Sequence, residues 1–281
     1  MDFNFLKIIK SAEKFRAFFL DLIFPIECLG CARVGYWLCG DCFKEVKFKP
    51  KQYCLHCKKE NDFGQFCPSP ARLNDVSRSG GCRIIYSLNG VWIAALYDEL
   101  LISQAIKSLK YHFISGIADD LSKLLILFVD KMLAQAKIIR PGLAQGLERR
   151  IFEQAKNMPT AILNFNNNLV IFVPLSKKRL RWRGFNQAEL LAQKIAEKYN
   201  LALDAVNLIR VKHKRPQAKL DEIHRLENIK DCFEWRGGDL NKKNIILIDD
   251  VVTTGATLNE CAKVLKAHGA GEVWGLVVAK G

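Results

Sequence analysis

No run of about eighteen apolar residues occurs in this chain of 281 residues, which argues against a transmembrane helix. The N-terminal segment also lacks the uninterrupted apolar stretch and small-residue cleavage site of a signal peptide. Residues 3–24 instead carry apolar side chains at helical spacing. They predict an amphipathic helix that docks on the protein itself or, alternatively, on a membrane surface. We therefore expect a cytoplasmic location.

Acidic residues and prolines are also scarce. The 29 Asp and Glu do not balance the 43 Lys and Arg, so the net charge is +14. More than half of this excess lies in residues 174–225, which hold thirteen basic and five acidic residues. A surplus of this sign favours anionic partners such as nucleic acid, a phosphorylated substrate or an acidic membrane surface. With eight prolines and 49% hydrophobic residues, the composition is typical of a globular protein with a sizeable core.

Residues 244–258, NIILIDDVVTTGATL, hold the most informative pattern. An apolar run predicts a buried strand that ends at two carboxylates, Asp249 and Asp250. A hydroxyl-rich turn follows, and Thr257 and Glu260 have the spacing of a capping box at a helix start. Backbone N–H groups in such a turn bind anions, while carboxylates accept hydrogen bonds from sugar hydroxyls, so the pattern predicts a phosphosugar site. The segment contains neither a Walker A sequence nor a dinucleotide fingerprint.

This string resembles the 5-phosphoribosyl-1-pyrophosphate (PRPP) signature of type I phosphoribosyltransferases. The resemblance implies that the two carboxylates contact the ribose hydroxyls as the catalytic pair, and that Mg²⁺ accompanies PRPP. The residues that it assigns to PRPP binding are Asp249, Asp250, Val251, Thr253, Thr254, Gly255, Ala256 and Thr257. The alternative is an ordinary strand, turn and helix without a ligand.

Seven of the ten cysteines lie between positions 28 and 67. Pairs separated by two residues are typical of zinc knuckles in a reducing compartment, because a tight turn aims both sulfurs at one ion. The first predicted Zn²⁺ site consists of Cys28, Cys31, Cys39 and Cys42. Four protein ligands leave no open coordination position, so this zinc is predicted to be structural.

A second zinc site is less complete in the sequence. Cys54 and Cys57 form a third pair and Cys67 is a candidate third ligand, but Pro70 stands where its partner is expected. The remaining candidates for the fourth ligand are His56 and Cys82, and a degenerate second site is the alternative. A redox role for one of the pairs is the competing interpretation.

Beyond the cysteines, apolar strands alternate with amphipathic helices, which predicts an α/β fold with a parallel sheet. We expect an N-terminal helix and zinc-binding module at 1–82 and a phosphoribosyltransferase-like domain at 83–281, with an insertion at 134–168. A strand and then a helix are predicted in VWIAALYDELLISQAIKSLKYHF. The other predicted elements are helices at 121–133 and 187–199 and strands at 169–173 and 273–279. In open α/β sheets, ligands bind beyond the carboxyl ends of the strands, where the 249–257 and 174–185 loops are expected.

Two basic segments are candidates for anion binding. The first is a predicted loop after the 169–173 strand, with the cations Lys177, Lys178, Arg179, Arg181 and Arg183. Arginine forks match phosphate oxygens, so this loop suits a pyrophosphate or a nucleic-acid backbone, and Trp182 can stack on a base. The second, at 210–225, predicts a mobile loop whose cations close over an anion, namely Arg215, Lys219 and Arg225. Exposed basic surface and a plain linker are the respective alternatives.

Four pieces follow one another along the chain: the cysteine pairs, IKSLKYHF, VPL with RLRWRGFNQAELLA, and RPQAKLDEIHRLENIKDCFEW before the PRPP motif. This order resembles the ComF family of competence-associated, phosphoribosyltransferase-like proteins. The resemblance covers most of residues 22–281 apart from 134–168. It implies a role in natural transformation, with incoming single-stranded DNA and other competence proteins as partners.

Two functions from different classes therefore remain open. The first is a PRPP-binding competence protein that handles single-stranded DNA. The second is an active phosphoribosyltransferase of nucleotide metabolism. No nucleobase-reading segment is recognisable in the sequence, so the acceptor of such a transfer stays unknown.

Overall fold

The structure, a computed structural model, describes residues 25–49, 51–67, 86–138, 159, 161, 164–212 and 229–281. The chain divides into two compact units, Met1–Val46 and Lys47–Gly281. The amphipathic helix predicted at 3–24 and most of the insertion predicted at 134–168 lie outside the described residues.

The first unit is built around four cysteines. A short helix, α1 (Gly40–Glu45), begins directly after one of them, Cys39. Glu27 and Val34 form an antiparallel bridge across the preceding turn. Asp41 lies in the first helical turn, where a carboxylate is favourable, and its Oδ2 is 2.9 Å from Arg33 Nη1.

The second unit alternates strands and helices, as predicted. In chain order they are β1 (Gln52–Tyr53), β2 (Glu60–Asn61), β3 (Gly90–Leu96), α2 (Leu100–Tyr111), α3 (Ile117–Ile138), β4 (Asn168–Phe172), α4 (Lys177–Arg183), α5 (Gln187–Tyr199), β5 (Ala202–Asp204), β6 (Leu208–Arg210), β7 (Phe233–Trp235), β8 (Asn244–Val252), α6 (Ala256–Ala267) and β9 (Val273–Lys280).

A five-stranded parallel sheet forms the core, in the order β3-β9-β8-β4-β5. Strand β8 lies at its centre, and Ile245–Ile248 are fully buried, as expected for a parallel strand covered on both faces. Two antiparallel pairs, β1-β2 and β6-β7, lie outside this sheet. The parallel α/β fold is confirmed, and it brings the ends of β4 and β8 to one edge.

The prediction of a basic loop after β4 is wrong in one respect, because this segment forms the helix α4. Ser176 caps this helix by accepting a hydrogen bond from Arg179 N at 3.3 Å. Gly184 ends it in the left-handed conformation, with φ of +83°. Asn186 then starts α5 and donates its side-chain amide to the Val173 carbonyl at 3.0 Å, which ties the helix junction to the sheet.

The cysteine-containing segment 51–67 belongs to the second compact unit. The side chain of Gln52 exchanges two hydrogen bonds with the backbone of Ile93 in β3, at 3.0 and 2.9 Å. The carbonyl of Gly64 accepts a hydrogen bond from Val91 N at 3.0 Å. The compact units thus divide at 46/47. The domain boundary predicted at 82/83 falls in a stretch that the structure does not describe and stays a prediction.

Candidate functional site

Two carboxylates stand near the carboxyl end of the central strand β8. Asp250 is only 2% exposed, and its Oδ1 is 3.0 Å from Lys110 Nζ. Its second oxygen, Oδ2, is buried without a hydrogen-bond partner. Asp249 is half-buried, and its Oδ1 accepts a hydrogen bond from Asp250 N at 2.8 Å. A buried carboxylate oxygen that lacks a donor is costly, so this position suits a ligand that brings hydroxyl groups.

The two carboxylates also repel each other. Burial, and next the Asp250 carboxylate, raise the pKa of Asp249 to about 8, while Lys110 acts in the opposite direction. At neutral pH the ionised form of Asp249 is therefore disfavoured in this structure. A ligand that donates hydrogen bonds to the pair stabilises the ionised form and releases a proton on binding.

Arg183 differs from the four cations with which the sequence groups it. It is buried, its Nη1 donates to Gln187 Oε1, and its Nε has no hydrogen-bond partner. Burial lowers its pKa, whereas the carboxylate of Asp250 is the main group that raises it. Arg183 thus interacts electrostatically with Asp250 and is not part of the exposed basic surface.

Sequence reasoning missed two further cations near the carboxylates. Lys110 comes from the last turn of α2, within the IKSLKYHF segment, and it is the ion-pair partner of Asp250. Arg210, at the end of β6, lies over the ring of Phe233 at 5.4 Å, and burial lowers its pKa while the Asp249 carboxylate raises it. Lys110 lies outside both basic segments, Arg210 is the first residue of the second segment, and the partners of both lie far away along the chain.

The predicted phosphate loop connects β8 to α6. Gly255 is the N-cap of this helix in the left-handed conformation, with φ of +81°. Thr253 is exposed, Thr254 is half-buried, and Thr257 lies in the first helical turn. The first turn of a helix leaves backbone N–H groups without intrahelical partners, and these suit an anion. Val251 is half-buried and Ala256 is buried beside the loop.

The capping box predicted for this helix is wrong. Thr257 does not cap α6, because the helix begins at Ala256 and Thr257 is already inside it. Thr254 Oγ1 instead accepts a hydrogen bond from Ala256 N at 3.4 Å. Glu260 instead accepts a hydrogen bond from Asp231 N at 2.8 Å and lies 3.7 Å from Lys263 Nζ. The hydroxyl of Thr257 is therefore not used for capping and is available to a ligand.

The cysteine-containing segment 51–67 packs against the phosphate loop. Leu55, which follows Cys54, is buried in one hydrophobic cluster with Val252 and Leu258, on either side of the loop. A Cβ placed on Gly255 would lie 3.2 Å from Leu55 Cδ1. The conformation of the loop therefore depends on the segment between Cys54 and Cys57.

Four of the cations predicted for pyrophosphate or DNA lie exposed on or beside α4, namely Lys177, Lys178, Arg179 and Arg181. The structure gives them no ion pair with an acidic residue among those that it describes. The cations of the predicted mobile loop, Arg215, Lys219 and Arg225, lie outside the described residues.

The first cysteine cluster fits a tetrahedral zinc ion. The sulfurs of Cys28, Cys31, Cys39 and Cys42 all lie within 4.8 Å of one another, and Cys31 and Cys39 are 3.6 Å apart. Zinc–sulfur bonds of about 2.3 Å place the sulfurs of a tetrahedron about 3.8 Å apart. The backbone N–H of Cys39 donates to Cys28 Sγ at 3.2 Å, which stabilises a thiolate.

The second cluster brings together the three predicted ligands, Cys54, Cys57 and Cys67, within the same 4.8 Å limit. Cys57 and Cys67 have their sulfurs 3.3 Å apart. His56 does not join this group among the described residues, while Pro70 and Cys82 lie outside them. The three thiolates suit one zinc ion, and the fourth ligand stays a prediction.

None of the described helices is long and apolar enough to cross a membrane.

Comparison with known proteins gives two domain families. Residues 19–70 match the double zinc ribbon domain, and residues 152–280 match the phosphoribosyl transferase domain. The first match spans both cysteine clusters, and the second spans the PRPP motif and α4.

Three similar proteins have names that concern competence or DNA utilization. Competence protein F of Haemophilus influenzae is 30% identical over 269 residues, which cover 91% of this chain and 98% of that protein. Competence protein ComFC of Bacillus subtilis is 39% identical over 105 residues, 36% of this chain and 39% of that protein. DNA utilization protein YhgH of Escherichia coli K12 is 29% identical over 175 residues, 62% of this chain and 65% of that protein.

Proposed function

The chain belongs to the ComF family, and from this membership we propose that it is a competence protein that acts in natural transformation. Its phosphoribosyltransferase domain binds PRPP with Mg²⁺, and its basic surface handles incoming single-stranded DNA. The names of its relatives, which concern competence and DNA utilization, support the biological role. The site residues support the ligand.

The observation that carries PRPP binding is the buried, unpartnered Oδ2 of Asp250 at the entrance to the phosphate loop. Ribose hydroxyls would donate to this oxygen and to Asp249, while Lys110 retains the other oxygen of Asp250. The 5-phosphate would lie against the loop of Thr253, Thr254 and Gly255 and the first N–H groups of α6. Mg²⁺ would neutralise pyrophosphate charge.

Titration calorimetry with PRPP–Mg²⁺ tests this assignment. Asp250→Asn should weaken binding by roughly 10- to 100-fold, because a charged acceptor contributes about 1.5–3 kcal/mol. Asp62→Asn makes the same change on an exposed turn and should leave the affinity unchanged. Equal affinities of Asp250→Asn and the wild type would remove the carboxylates from the site.

The second part of the proposal concerns single-stranded DNA. Four exposed cations on one short helix suit a phosphate backbone, which makes binding depend on salt. The logarithm of the DNA affinity should fall steeply with the logarithm of the salt concentration, and neutralising Arg179 and Arg181 should flatten this slope. The matched control neutralises Lys242 and Lys243, which precede β8 at the opposite edge of the sheet. An identical slope in both pairs would exclude α4 from DNA binding.

An active phosphoribosyltransferase is the second candidate function. The domain match at 152–280 and the two acidic residues favour it. Catalysis would use Asp249 and Asp250 to orient the ribose, with Arg183 beside them to attract the departing pyrophosphate. Pyrophosphate release in the presence of candidate bases would support it, and no release with any of them would favour a binding protein.

We also propose a cytoplasmic location, supported by two thiol clusters that require a reducing compartment. Contacts with other competence proteins and closure of Arg215, Lys219 and Arg225 over the anion belong to the same proposal.

A further inference from the structure

Three aromatic rings lie outside the core, close to the carboxylate site. Tyr111, Phe113 and Trp182 are 58%, 41% and 57% exposed. Phe113 meets Trp182 edge to face with ring centroids 5.0 Å apart, and Tyr111 lies 6.5 Å from the same indole. Such an arrangement leaves ring faces open to solvent, where a flat apolar group can stack. These three residues are called the aromatic platform.

The backbone at Phe113 adds a second, independent observation. Its φ is +59°, a left-handed conformation that costs a bulky residue about 1–2 kcal/mol and that glycine adopts freely. Core packing does not explain the phenyl ring here, because 41% of the residue is exposed. Strain of this kind that is retained at a surface points to a function for the side chain.

The charges around the platform define its partner. Trp182 stands on α4 among the exposed cations Lys178, Arg179 and Arg181. Aromatic faces next to exposed cations complement a polymer that alternates flat bases with negative phosphates, and this combination is characteristic of sites for single strands. A duplex keeps its bases stacked on one another and offers no face to the rings.

The platform also borders the proposed PRPP site. Tyr111 directly follows Lys110, whose Nζ is 3.0 Å from Asp250, and Trp182 directly precedes the buried Arg183. Of the two chain neighbours of these rings, Lys110 therefore contacts the carboxylate of Asp250 and Arg183 is buried, while the rings themselves stay at the surface. A base on the platform would lie at the rim of the phosphosugar site.

We propose that the aromatic platform stacks bases of single-stranded nucleic acid whose phosphates contact the cations of α4. The proposal rests on the proposed DNA function and adds base recognition to it. Affinity then has two separable parts, a salt-dependent part from α4 and a base-dependent part from the rings.

The test compares a fluorescently labelled oligothymidylate with an abasic oligonucleotide of the same length and charge, by anisotropy at fixed salt. Wild type should bind the base-bearing strand more tightly. Trp182→Ala should lower that affinity by roughly 5- to 100-fold, the range of one stacked base, with an unchanged salt slope and an unchanged affinity for the abasic strand. Leu100→Ala removes a large exposed apolar side chain from the other end of α2. This control should change neither the affinity for the base-bearing strand nor the affinity for the abasic strand.

Phe113→Gly separates a binding role from a structural one. Because glycine relieves the left-handed strain, the melting temperature should not fall, while the advantage of the base-bearing strand should shrink. Quenching of tryptophan fluorescence by the strand gives a second readout. Trp182 is exposed, Trp37 is half-buried, and Trp92, Trp235 and Trp274 are buried, so most of the quenching should disappear in Trp182→Phe.

Equal affinity of wild type for the two strands would overturn the platform and leave DNA binding intact. No binding of either strand would overturn the DNA function as well. Loss of vesicle binding in Trp182→Ala with anionic phospholipid vesicles, at unchanged DNA affinity, would assign the rings to a membrane and also overturn the proposal.

Discussion

The two cysteine clusters offer the same kind of metal ligand in different surroundings. The cluster of Cys28, Cys31, Cys39 and Cys42 belongs to a compact unit that ends at Val46. The cluster of Cys54, Cys57 and Cys67 belongs to the unit with the parallel sheet, and its segment is hydrogen-bonded to β3 and packed beneath the phosphate loop. Equivalent chemistry therefore has different consequences: the second cluster supports the ligand site, whereas the first supports its own small unit.

Loss of one thiolate from the second cluster should produce the largest effect. We expect Cys54→Ser to lower the free energy of unfolding of the sheet unit by more than about 4 kcal/mol, in the range of a lost metal site, and to abolish PRPP binding. Zinc content, thermal unfolding and calorimetry measure this. Cys39→Ser is the matched variant in the first cluster and should leave PRPP affinity unchanged. Equal losses of PRPP affinity in Cys54→Ser and Cys39→Ser would remove the distinction between the clusters.

Leu55→Ala should have the next largest effect. Removing this buried side chain leaves a cavity and should cost roughly 2–5 kcal/mol. The cavity lies beneath Gly255, so hydrogen exchange should speed up in 253–258. Leu38→Ala, a buried leucine in the first unit, is the control and should leave exchange in that loop unaltered. Unaltered hydrogen exchange in both variants would show that the loop at 253–258 does not depend on the segment between Cys54 and Cys57.

Two glycines test separately whether Leu55 supports the phosphate loop. Gly255 and Gly184 have almost the same left-handed φ, +81° and +83°, but a Cβ meets Leu55 at the first and nothing within 4 Å at the second. Both alanine variants should lose about 1–2 kcal/mol from backbone strain. Gly255→Ala should lose more, and it alone should weaken PRPP binding. Equal losses of stability in denaturant titrations would mean that the Leu55 side chain moves aside without a further loss of stability.

The pH dependence of stability should distinguish Asp249 from the cysteine clusters. The pKa of Asp249 is raised to about 8 in the folded protein from an ordinary value of 3.8, so the folded state holds a proton that the unfolded chain has released. The contribution of Asp249 to the free energy of unfolding should therefore fall as the pH rises from about 4 to about 8, and it should stay constant above pH 8. Urea titrations at pH 5, 7 and 9 should show this decline in the wild type and in Cys39→Ser, but not in Asp249→Asn. A decline of equal size in Asp249→Asn would assign the proton to another group.

Local patterns were sufficient for most of the fold. The apolar run at Ile245–Ile248 and the helix at Gln187–Tyr199 are readable because each is set by its own sequence. Helix α4 was readable in principle, since a serine cap and a glycine end flank it, but its charge suggested a loop. The capping box failed because Gly255 is the N-cap of α6, so the helix begins earlier than a cap at Thr257 would require.

The candidate site was predictable only in part. The carboxylates and the phosphate loop are contiguous in sequence, whereas Lys110 reaches Asp250 from 140 residues away. Arg183 looks like its neighbours in the sequence and differs only because the fold buries it. The support of Gly255 by Leu55 is likewise a long-range contact that no local pattern encodes.

The covering of β3 by residues 48–65 has a further consequence, for aggregation. β3 is an outer strand of the sheet, and its open side is occupied by the Gln52 amide, the Gly64 carbonyl and bridges from Phe48 and Gln65. An exposed outer strand recruits strands of other chains. A protein that loses the second metal should therefore expose an apolar edge and form β-rich aggregates through β3, while the opposite outer strand, β5, offers only three residues.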